Sequence, residues 1–556
     1  MILPRKQTVN RRYNQFVYGG PNMGKIFEFN KETVIKFQKA HDYRTLLLQM
    51  EQIKTEESRA YHKFVIMESD DNEIKQIFAF FIHEILLNPE ILERCLLKIK
   101  KENVYLPGLY IAEIERQIRR NRDSFDEFKH MDSKDIEREL EILTDYFLMR
   151  FEVFFLNEML KTTNENIVLV IDNFRPEFLH DIPQHVKGII IKNTVEDKDF
   201  IRLLSSEYEI PIAQCSLIYP TDKIAIINEK TQRITFNPDD EDLEIFHKEY
   251  NSTTFNLGEK PSYMFGRIKI YAQAINSNNL DRIESFNWYN GIAPFKTEYF
   301  FITNGILPTI EEQVEFFVDF FMKSKGMPIY LRVPDFMPSK PLKYMNNIRK
   351  DTDFFHNQHN LFFDHFTAVA KAVKLTNADV KICIPRVVMA SELSDWRRHV
   401  VMAFEDEGLQ IPEFGYVLET ESAFEYYSEF PRVDFIIIGF NDLIEENTDF
   451  YNRFTEISVS KFNEIFVPVI KDIHAHLYKR GAATKHILAG NVISNPGIFR
   501  KLINYGFTDF SIPVSKIRLI EETFTEYCIT RGRFVGVYRQ ARLRRELREQ
   551  SLKELD

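Results

Sequence analysis

The second half of the chain places charged side chains directly after short apolar runs. Glu419 follows the run FGYVL, Asn441 and Asp442 follow VDFIIIGF, and Arg332 closes the run PIYLR. Two carboxylates on neighbouring strand ends can share one hard divalent ion such as Mg²⁺, which keeps several of its waters. Cations beside them would face an anionic substrate such as a carboxylate or phosphate. The candidates for that role are Lys296, Arg332 and Lys340. The alternative is that these charged residues only pair with one another, and their spacing does not decide between the two interpretations.

An alternation of strand-like and helix-like segments must position these residues. The strand candidates are RIKIYAQ, NGIAPF, PIYLRV, VKICIPRV, FGYVLET, VDFIIIGF, HILAG and FTDFSIP, and helical segments lie between most of them. Eight strands with helical connections over about 270 residues are what a (β/α)8 barrel requires. We therefore predict an α/β fold with a barrel over residues 263–535. Active sites of this fold form at the carboxyl-terminal rim of the strands, where the charged residues would lie.

The first half of the chain has a different pattern. Residues 30–160 are almost continuously amphipathic with helical period, whereas residues 1–29 and 161–236 carry short strands separated by turns. We predict an α/β domain built from the two strand-rich stretches and interrupted by the helical block. A linker helix with a loop over 237–262 and a charged helix over 536–556 complete the predicted organisation.

One strand–turn–helix unit of this α/β domain is GIIIKNTVEDKDFIRLLSSEYEIP, at residues 188–211. Such turns often hold a ligand or a nucleophile. This turn has no arrangement centred on His, Cys or Ser before its helix. It is either a plain structural unit or a site whose chemistry has been lost.

Two further motifs favour structural roles. Residues 19–25, GGPNMGK, match the phosphate-loop spacing G-x4-G-K, but Ile26 follows instead of Ser or Thr and no helix comes next, so a hairpin turn is favoured. His356, His359 and His365 have metal-like spacing without an accompanying cysteine or ordered carboxylate pattern. A polar helix or loop is therefore favoured for that segment.

Composition restricts the class of function. The net charge of −11 over 556 residues gives nucleic-acid binding no electrostatic support. Four widely separated cysteines form neither a metal spacing nor a disulfide framework, which is typical of a reducing cytoplasm. The N-terminal segment lacks the apolar core of a signal peptide, and the longest apolar run, IFAFFIHEILL, is shorter than the ~20 residues that span a bilayer. We predict a cytoplasmic protein with no membrane or nucleic-acid partner.

Several segments in a fixed order resemble Enzyme I, the phosphoenolpyruvate-protein phosphotransferase of the bacterial phosphoenolpyruvate (PEP):sugar phosphotransferase system. They are PIYLRVPDFMPSK, FGYVLETESAF, VDFIIIGFNDL, ILAGN and GFTDFSIPVSKI, and the likeness runs from about residue 17 to about residue 530. FFIHEILLNPEI resembles the helical part that docks the small phosphocarrier HPr. VKGIIIKN and EIPIAQ resemble the swivelling phosphohistidine domain.

The resemblance implies a barrel that binds PEP with Mg²⁺, an HPr-like partner and a homodimer formed through the barrel. It assigns the metal to Glu419 and Asp442. It assigns the phosphate and carboxylate of the substrate to Asn441, Arg332 and Lys340, to Lys296 in place of a family arginine, and to Arg453 with a one-residue shift. Gln358 stands near another family arginine.

Two positions depart from the family pattern. The family's catalytic cysteine falls on Lys485 in KHILAGN, and its phosphorylated histidine falls at about Asp199 or Phe200. No catalytic residue is therefore assigned. We expect a degenerate or regulatory Enzyme I-like protein that keeps a barrel site for Mg²⁺ and a PEP- or pyruvate-like ligand. The alternatives are an active PEP-protein phosphotransferase, with an acceptor such as Asp197 or Asp199, and another Mg²⁺-dependent enzyme acting on PEP or an oxoacid.

Overall fold

The computed structural model describes residues 9–12, 22–68, 86–99, 104–122, 133–228, 233–253, 268–284, 289–305, 307–336, 340, 342, 359–447, 457–479, 485–517, 519–520, 522–524 and 527. The chain divides into two compact units. The first comprises Met1–Thr254, Tyr299–Thr309 and Phe336–Phe354, and the second comprises Phe255–Glu298, Ile310–Asp335 and Phe355–Asp556. The finer division into five segments made above stays a prediction, and its C-terminal helix lies outside the described residues.

One sheet organises the first unit. Within the described ranges its strands are β1 (Val9–Arg12), β2 (Asn22–Phe29), β3 (Ile167–Ile171), β4 (Val186–Ile191), β5 (Ile212–Gln214), β6 (Ile224–Asn228) and β7 (Arg233–Phe236). The order across the sheet is β1-β7-β6-β2-β3-β4-β5, and β2 to β5 run parallel while β1, β6 and β7 pair antiparallel. All of β3 (IVLVI) is buried, as expected of a parallel strand covered on both faces.

Helices fill the interval between β2 and β3. The described ones are α1 (Lys31–Lys39), α2 (Tyr43–Glu68), α3 (Glu90–Lys98), α4 (Leu106–Arg122) and α5 (Ser133–Leu160). They bury apolar side chains on one face each, as the amphipathic pattern predicts; Leu47, Ile114 and Phe147 are fully buried. The unit also contains α6 (Lys198–Tyr208) and α7 (Asp240–Thr253). No helix in the described part of the chain is both long and apolar enough to cross a membrane.

The second unit is a closed barrel. Its strands, among the described residues, are β8 (Lys269–Ala274), β9 (Ile292–Lys296), β10 (Ile329–Arg332), β11 (Val380–Ile384), β12 (Phe414–Leu418), β13 (Phe435–Gly439), β14 (Lys485–Ala489) and β15 (Asp509–Ile512). Each strand pairs parallel with the next, and β15 closes on β8. The predicted fold class, an α/β protein with a (β/α)8 barrel, is confirmed, and each predicted strand segment overlaps one of these strands.

Helices follow most of the barrel strands. They are α8 (Ser277–Glu284), α9 (Glu298–Asn304), α10 (Ile310–Lys323), α11 (His359–Thr376), α12 (Glu392–Asp406), α13 (Glu421–Glu425), α14 (Phe440–Asn447), α15 (Val459–Lys479) and α16 (Pro496–Asn504). Inward-facing side chains fill the barrel interior, as is usual for this fold. This interior layer consists of Tyr271, Ala293, Tyr330, Cys383, Val417, Phe435, Ile437, Ile487 and Ala489.

The histidine-rich segment forms part of a helix. His359 begins α11, and His356 lies outside the described residues. His365 is not on a polar face: it is fully buried, its Nδ1 lies 3.1 Å from Oε1 of Gln313, and burial lowers its pKa to about 3. The segment from His359 onward is helical as predicted, but the prediction of a polar surface is wrong at His365, which packs as a neutral histidine between helices.

Candidate functional site

The predicted site residues of the barrel lie at one rim. Lys296 and Arg332 end β9 and β10 and pair directly in the ladder, while Glu419 follows β12 and Asp442 follows β13. Because all the strands are parallel, their carboxyl ends meet at the same rim of the barrel. The last pair between β12 and β13 is Leu418 with Ile438, so the two carboxylates leave neighbouring strands at nearly the same height.

Arg332 is the buried cation of this rim. It is only 7% exposed, and its Nη2 donates to Oε1 of Glu298, the first residue of α9, which is fully buried. Oδ2 of Asp335 lies 3.9 Å from the same nitrogen. Thr297 fixes the strand end, since its hydroxyl donates to the Arg332 carbonyl oxygen at 2.7 Å. A buried guanidinium held between two carboxylates has a defined position and a compensated charge.

Glu419 is the buried carboxylate of the rim, with 1% exposure. Its Oε1 accepts a hydrogen bond from the backbone N–H of Arg386 at 2.8 Å. Burial is the main cause that raises the pKa of Glu419 to about 8, with the charges of Asp442 and Asp335 acting in the same direction and Arg332 opposing them. Gly439 permits this packing, since a Cβ at that position would lie 3.1 Å from Oε2 of Glu419.

Asn441 and Asp442 lie in the first turn of α14. Asn441 is held in place because its Oδ1 accepts from the backbone N–H of Asn491 at 2.8 Å. The turn before Asn491 needs a glycine: Gly490 has φ of +133°, and a Cβ there would lie 3.1 Å from the same Oδ1. Asp442 is half-buried, and its charge acts on Glu419.

The donor set of this rim fits a magnesium ion that the protein ligates only in part. Within the described ranges, no group of three or more His, Cys, Asp or Glu side chains is arranged to hold a metal. Mg²⁺ usually takes one or two protein carboxylates and completes its octahedron with waters and substrate oxygens. Glu419 and Asp442 supply two hard oxygen donors on adjacent strand ends, which satisfies this requirement without a third protein ligand.

The structure supports the remaining predicted binding residues only in part. Lys296 is half-buried at the end of β9. Lys340 is buried, with 3% exposure, and belongs to the first unit. Arg453 and Gln358 lie outside the described residues. Glu298 and Asp335 had no predicted role as partners of Arg332; both are buried, and Glu298 follows the end of β9 by two residues.

Lys485 is not at the rim. It is the first residue of β14 and pairs with Phe435 at the amino-terminal end of β13. The residue of β14 that pairs with Gly439 at the carboxyl end is Ala489, four positions later. The structure therefore does not bring Lys485 together with Glu419 and Asp442.

In the first unit, the turn between β4 and α6 is a helix N-terminus. The side chain of Asp197 accepts from the backbone N–H of Phe200 at 2.9 Å and caps α6. Phe200 is buried, while Asp199 is exposed in the first helical turn. His185, which precedes β4, uses its backbone carbonyl to accept from Ile167. Capping explains the acidic sequence of this turn.

Removing the Asp197 cap should lower the stability of the protein measurably. We expect Asp197→Ala to lower the free energy of unfolding by about 1 kcal/mol, because the N–H of Phe200 loses its acceptor. Urea denaturation followed by circular dichroism measures the change. Asp199→Ala, two positions away and without this hydrogen bond, is the matched control. Equal effects of the two variants would contradict the assignment of Asp197 as the cap.

Comparison with known proteins finds a family and several relatives that the barrel resembles. Residues 259–527 match the family described as PEP-utilising enzyme, PEP-binding domain. This part of the chain is similar to the PEP-binding domains of that family. The phosphoenolpyruvate-protein phosphotransferase of Buchnera aphidicola subsp. Schizaphis graminum is 24% identical over 372 residues, which cover 62% of this chain and 59% of the relative. The corresponding protein of Haloferax volcanii is 27% identical over 172 residues, covering 28% of this chain and 30% of the relative.

These relatives confirm the predicted resemblance to Enzyme I. The chain matches less than two thirds of the length of each of them. Among solved structures, a citrate lyase from Burkholderia xenovorans LB400 has a TM-score of 0.34 and 15% identity, covering 46% of this chain and 76% of that one. That value is too low to inform the reaction or the ligand of this barrel.

Proposed function

We propose that the carboxyl rim of the barrel binds PEP, pyruvate or a related oxoacid together with Mg²⁺. The observation that carries this proposal is the charge of the rim. Asp442 and Asp335 lie close enough to Glu419 for their charges to raise its pKa against the opposing effect of Arg332, so negative charge is in excess around this carboxyl group. An anionic ligand would be repelled by this excess, and one divalent ion at Glu419 and Asp442 offsets it.

Each described residue then has a distinct role in holding the ligand. A bound Mg²⁺ would supply the positive charge that faces the phosphate or carboxylate of the ligand. Arg332 presents a planar fork of donors, and Glu298 keeps that fork in one orientation. Lys296 contributes a point charge without the bidentate geometry of an arginine. Asn441, whose Oδ1 is engaged by Asn491, is held with its amide beside the metal ligands.

We further propose that the chain does not relay phosphate through the turn between β4 and α6, and acts as an Enzyme I-like binding or regulatory protein. Three observations support this. Residues 186–211 contain no histidine. Asp197 is engaged as a helix cap, and Phe200 is part of the core. An HPr-like phosphocarrier and a second copy of the barrel are the partner classes that the resemblance to Enzyme I suggests.

Calorimetry tests the barrel site directly. We expect PEP and oxalate to release heat on binding only when Mg²⁺ is present, and EDTA to abolish the signal, because the rim without metal carries excess negative charge. Absence of binding with Mg²⁺ present, or equal binding in EDTA, would contradict the proposal.

Labelling tests the absence of phosphotransfer. Full-length protein is incubated with PEP carrying labelled phosphate and Mg²⁺, with and without HPr. We expect no label on either protein. Label on the chain or on HPr would instead establish an active phosphotransferase, and loss of PEP without labelling would establish an enzyme acting on PEP itself.

A further inference from the structure

A second cluster of chemically active side chains lies at the amino-terminal mouth of the barrel, away from the rim. Lys485 begins β14, on the same inward-facing side as Ile487 and Ala489. Its Nζ lies 2.5 Å from the hydroxyl oxygen of Tyr330, and 4.8 and 4.5 Å from the ring centroids of Tyr330 and Tyr271. The ammonium group is therefore held against two aromatic faces, which restricts its orientation.

The two tyrosines are themselves fixed. Their rings are 5.7 Å apart in an edge-to-face arrangement, and each is 1% exposed. The Tyr271 hydroxyl donates to Oδ1 of Asp509 at 3.0 Å, and that same oxygen lies 3.9 Å from Lys485 Nζ. Lys485 keeps 27% of its side chain exposed, so its amine is accessible to small molecules.

The surroundings increase the neutral fraction of the Lys485 amine. Burial is the main cause that lowers its pKa to about 8, with Lys269 and Lys381 acting in the same direction and Asp509 and Glu413 opposing them. Lys381 is paired with Glu413 at 2.7 Å and Asp379 at 3.4 Å. Burial also raises the pKa of the Tyr330 and Tyr271 phenols, which keep their protons at neutral pH. The charged and titratable groups facing Lys485 are thus Tyr271, Tyr330, Lys269, Lys381, Glu413 and Asp509.

We propose that Lys485 is a covalent modification site that forms a Schiff base with small carbonyl compounds such as 2-oxo acids and aldehydes. A desolvated lysine beside other cations is the usual form of an amine nucleophile for carbonyl carbon. The site is independent of the ligand proposed for the carboxyl rim, since it needs neither Mg²⁺ nor PEP.

The chemistry uses groups already present. The neutral amine adds to the carbonyl carbon, the C=O π electrons move to oxygen, and a proton passes from nitrogen to that oxygen to give a carbinolamine. The Tyr330 phenol, which accepts a hydrogen bond from Lys485, can donate its own proton to the departing hydroxyl. Water leaves as the C=N bond forms, and the phenolate regains a proton from solvent.

Reductive trapping with glyoxylate tests the site. Full-length protein is treated with glyoxylate and cyanoborohydride, which delivers hydride to the imine carbon and leaves N-carboxymethyl-lysine for peptide mapping. Lys192 is the internal control, because its side chain is 26% exposed and ion-paired with Glu28 and Asp172. We expect Lys485 to be modified more than about tenfold faster than Lys192 at pH 7.5, since burial lowers the pKa of the Lys485 amine.

A pH profile and a variant distinguish modification that depends on the surroundings of Lys485 from modification that depends only on its solvent exposure. The rate at Lys485 should level off above about pH 8, whereas an ordinary lysine becomes faster up to about pH 10. Tyr330→Phe should slow modification of Lys485 severalfold and leave Lys192 unchanged, with folding checked by circular dichroism. Equal rates at the two lysines, or a rate at Lys485 that keeps rising through pH 9, would overturn the proposal.

Discussion

Replacing Glu419 by glutamine is expected to abolish Mg²⁺-dependent ligand binding while stabilising the metal-free protein at neutral pH. The substitution removes one of two proposed metal ligands, so the affinity for Mg²⁺ should fall by at least about 100-fold. It also removes a buried carboxyl group whose ionised form is disfavoured next to Asp442 and Asp335, and which therefore lowers the stability at neutral pH when no cation compensates it. A residue that served only packing would not show these two opposite effects together.

The raised pKa of Glu419 fixes the direction in which the stability of the protein changes with pH. The pKa of Glu419 is raised from 4.5 to about 8 in the folded protein. A group whose folded pKa lies above its unfolded value contributes stability fully below the unfolded pKa, and that contribution is lost as pH rises through the folded pKa. In EDTA, we therefore expect the free energy of unfolding of the wild type to fall by a few kcal/mol between about pH 4.5 and 8 through this group.

Urea unfolding across this pH range, with and without Mg²⁺, measures the effect. Glu419→Gln should lack the decline in EDTA, and Mg²⁺ should stabilise only the wild type. Glu425→Gln, an identical change at an exposed position of α13, is the matched control and should behave like the wild type. A Glu419→Gln protein that still bound Mg²⁺ with wild-type affinity would remove Glu419 from the metal site.

Arg332→Met is expected to lower the free energy of unfolding by about 3–5 kcal/mol. The change leaves Glu298 and Asp335 buried without their counter-charge, and an uncompensated buried charge is strongly destabilising. Removing the main partner as well, in Arg332→Met with Glu298→Met, should recover a large part of the loss because the desolvated ion pair is then replaced by apolar contact.

A double-mutant cycle in urea provides the measurement. Lys323→Met is the control for loss of a cation, since its pair with Asp319 is largely exposed and contributes little. If Arg332→Met cost no more than Lys323→Met, or if the double variant were less stable than both single variants, the buried pair would not be the source of the effect.

The barrel could be predicted from sequence because its strands are buried on both faces. FIIIG and VKICI are nearly continuous apolar runs, which parallel strands select, and their regular alternation with amphipathic helices gives the strand count. The rim residues followed from the same logic, since the carboxyl end of each run is where a barrel presents side chains. Arg332 and Glu419 were identified in this way.

Contacts that depend on three-dimensional register could not be predicted. Glu298 binds a residue 34 positions away, and no periodicity connects the two. Lys485 lies at the amino-terminal end of its strand because it pairs with Phe435, and a motif match does not contain that register. His365 resembles a solvated helix residue until the packing of α11 against α10 determines its burial. Lys340 follows Arg332 closely in sequence, yet it belongs to the other unit.

The aromatic layer inside the barrel has a consequence for how this fold can change. Tyr271, Tyr330 and Phe435 occupy the interior with almost no exposed surface, so their rings fill the barrel between its two openings. The two openings are thus separate compartments that share one scaffold. Mutations can erode or rebuild the chemistry of one opening without disturbing the other, and a chain that loses an ancestral reaction at one end keeps an intact frame on which the opposite end can acquire a new one.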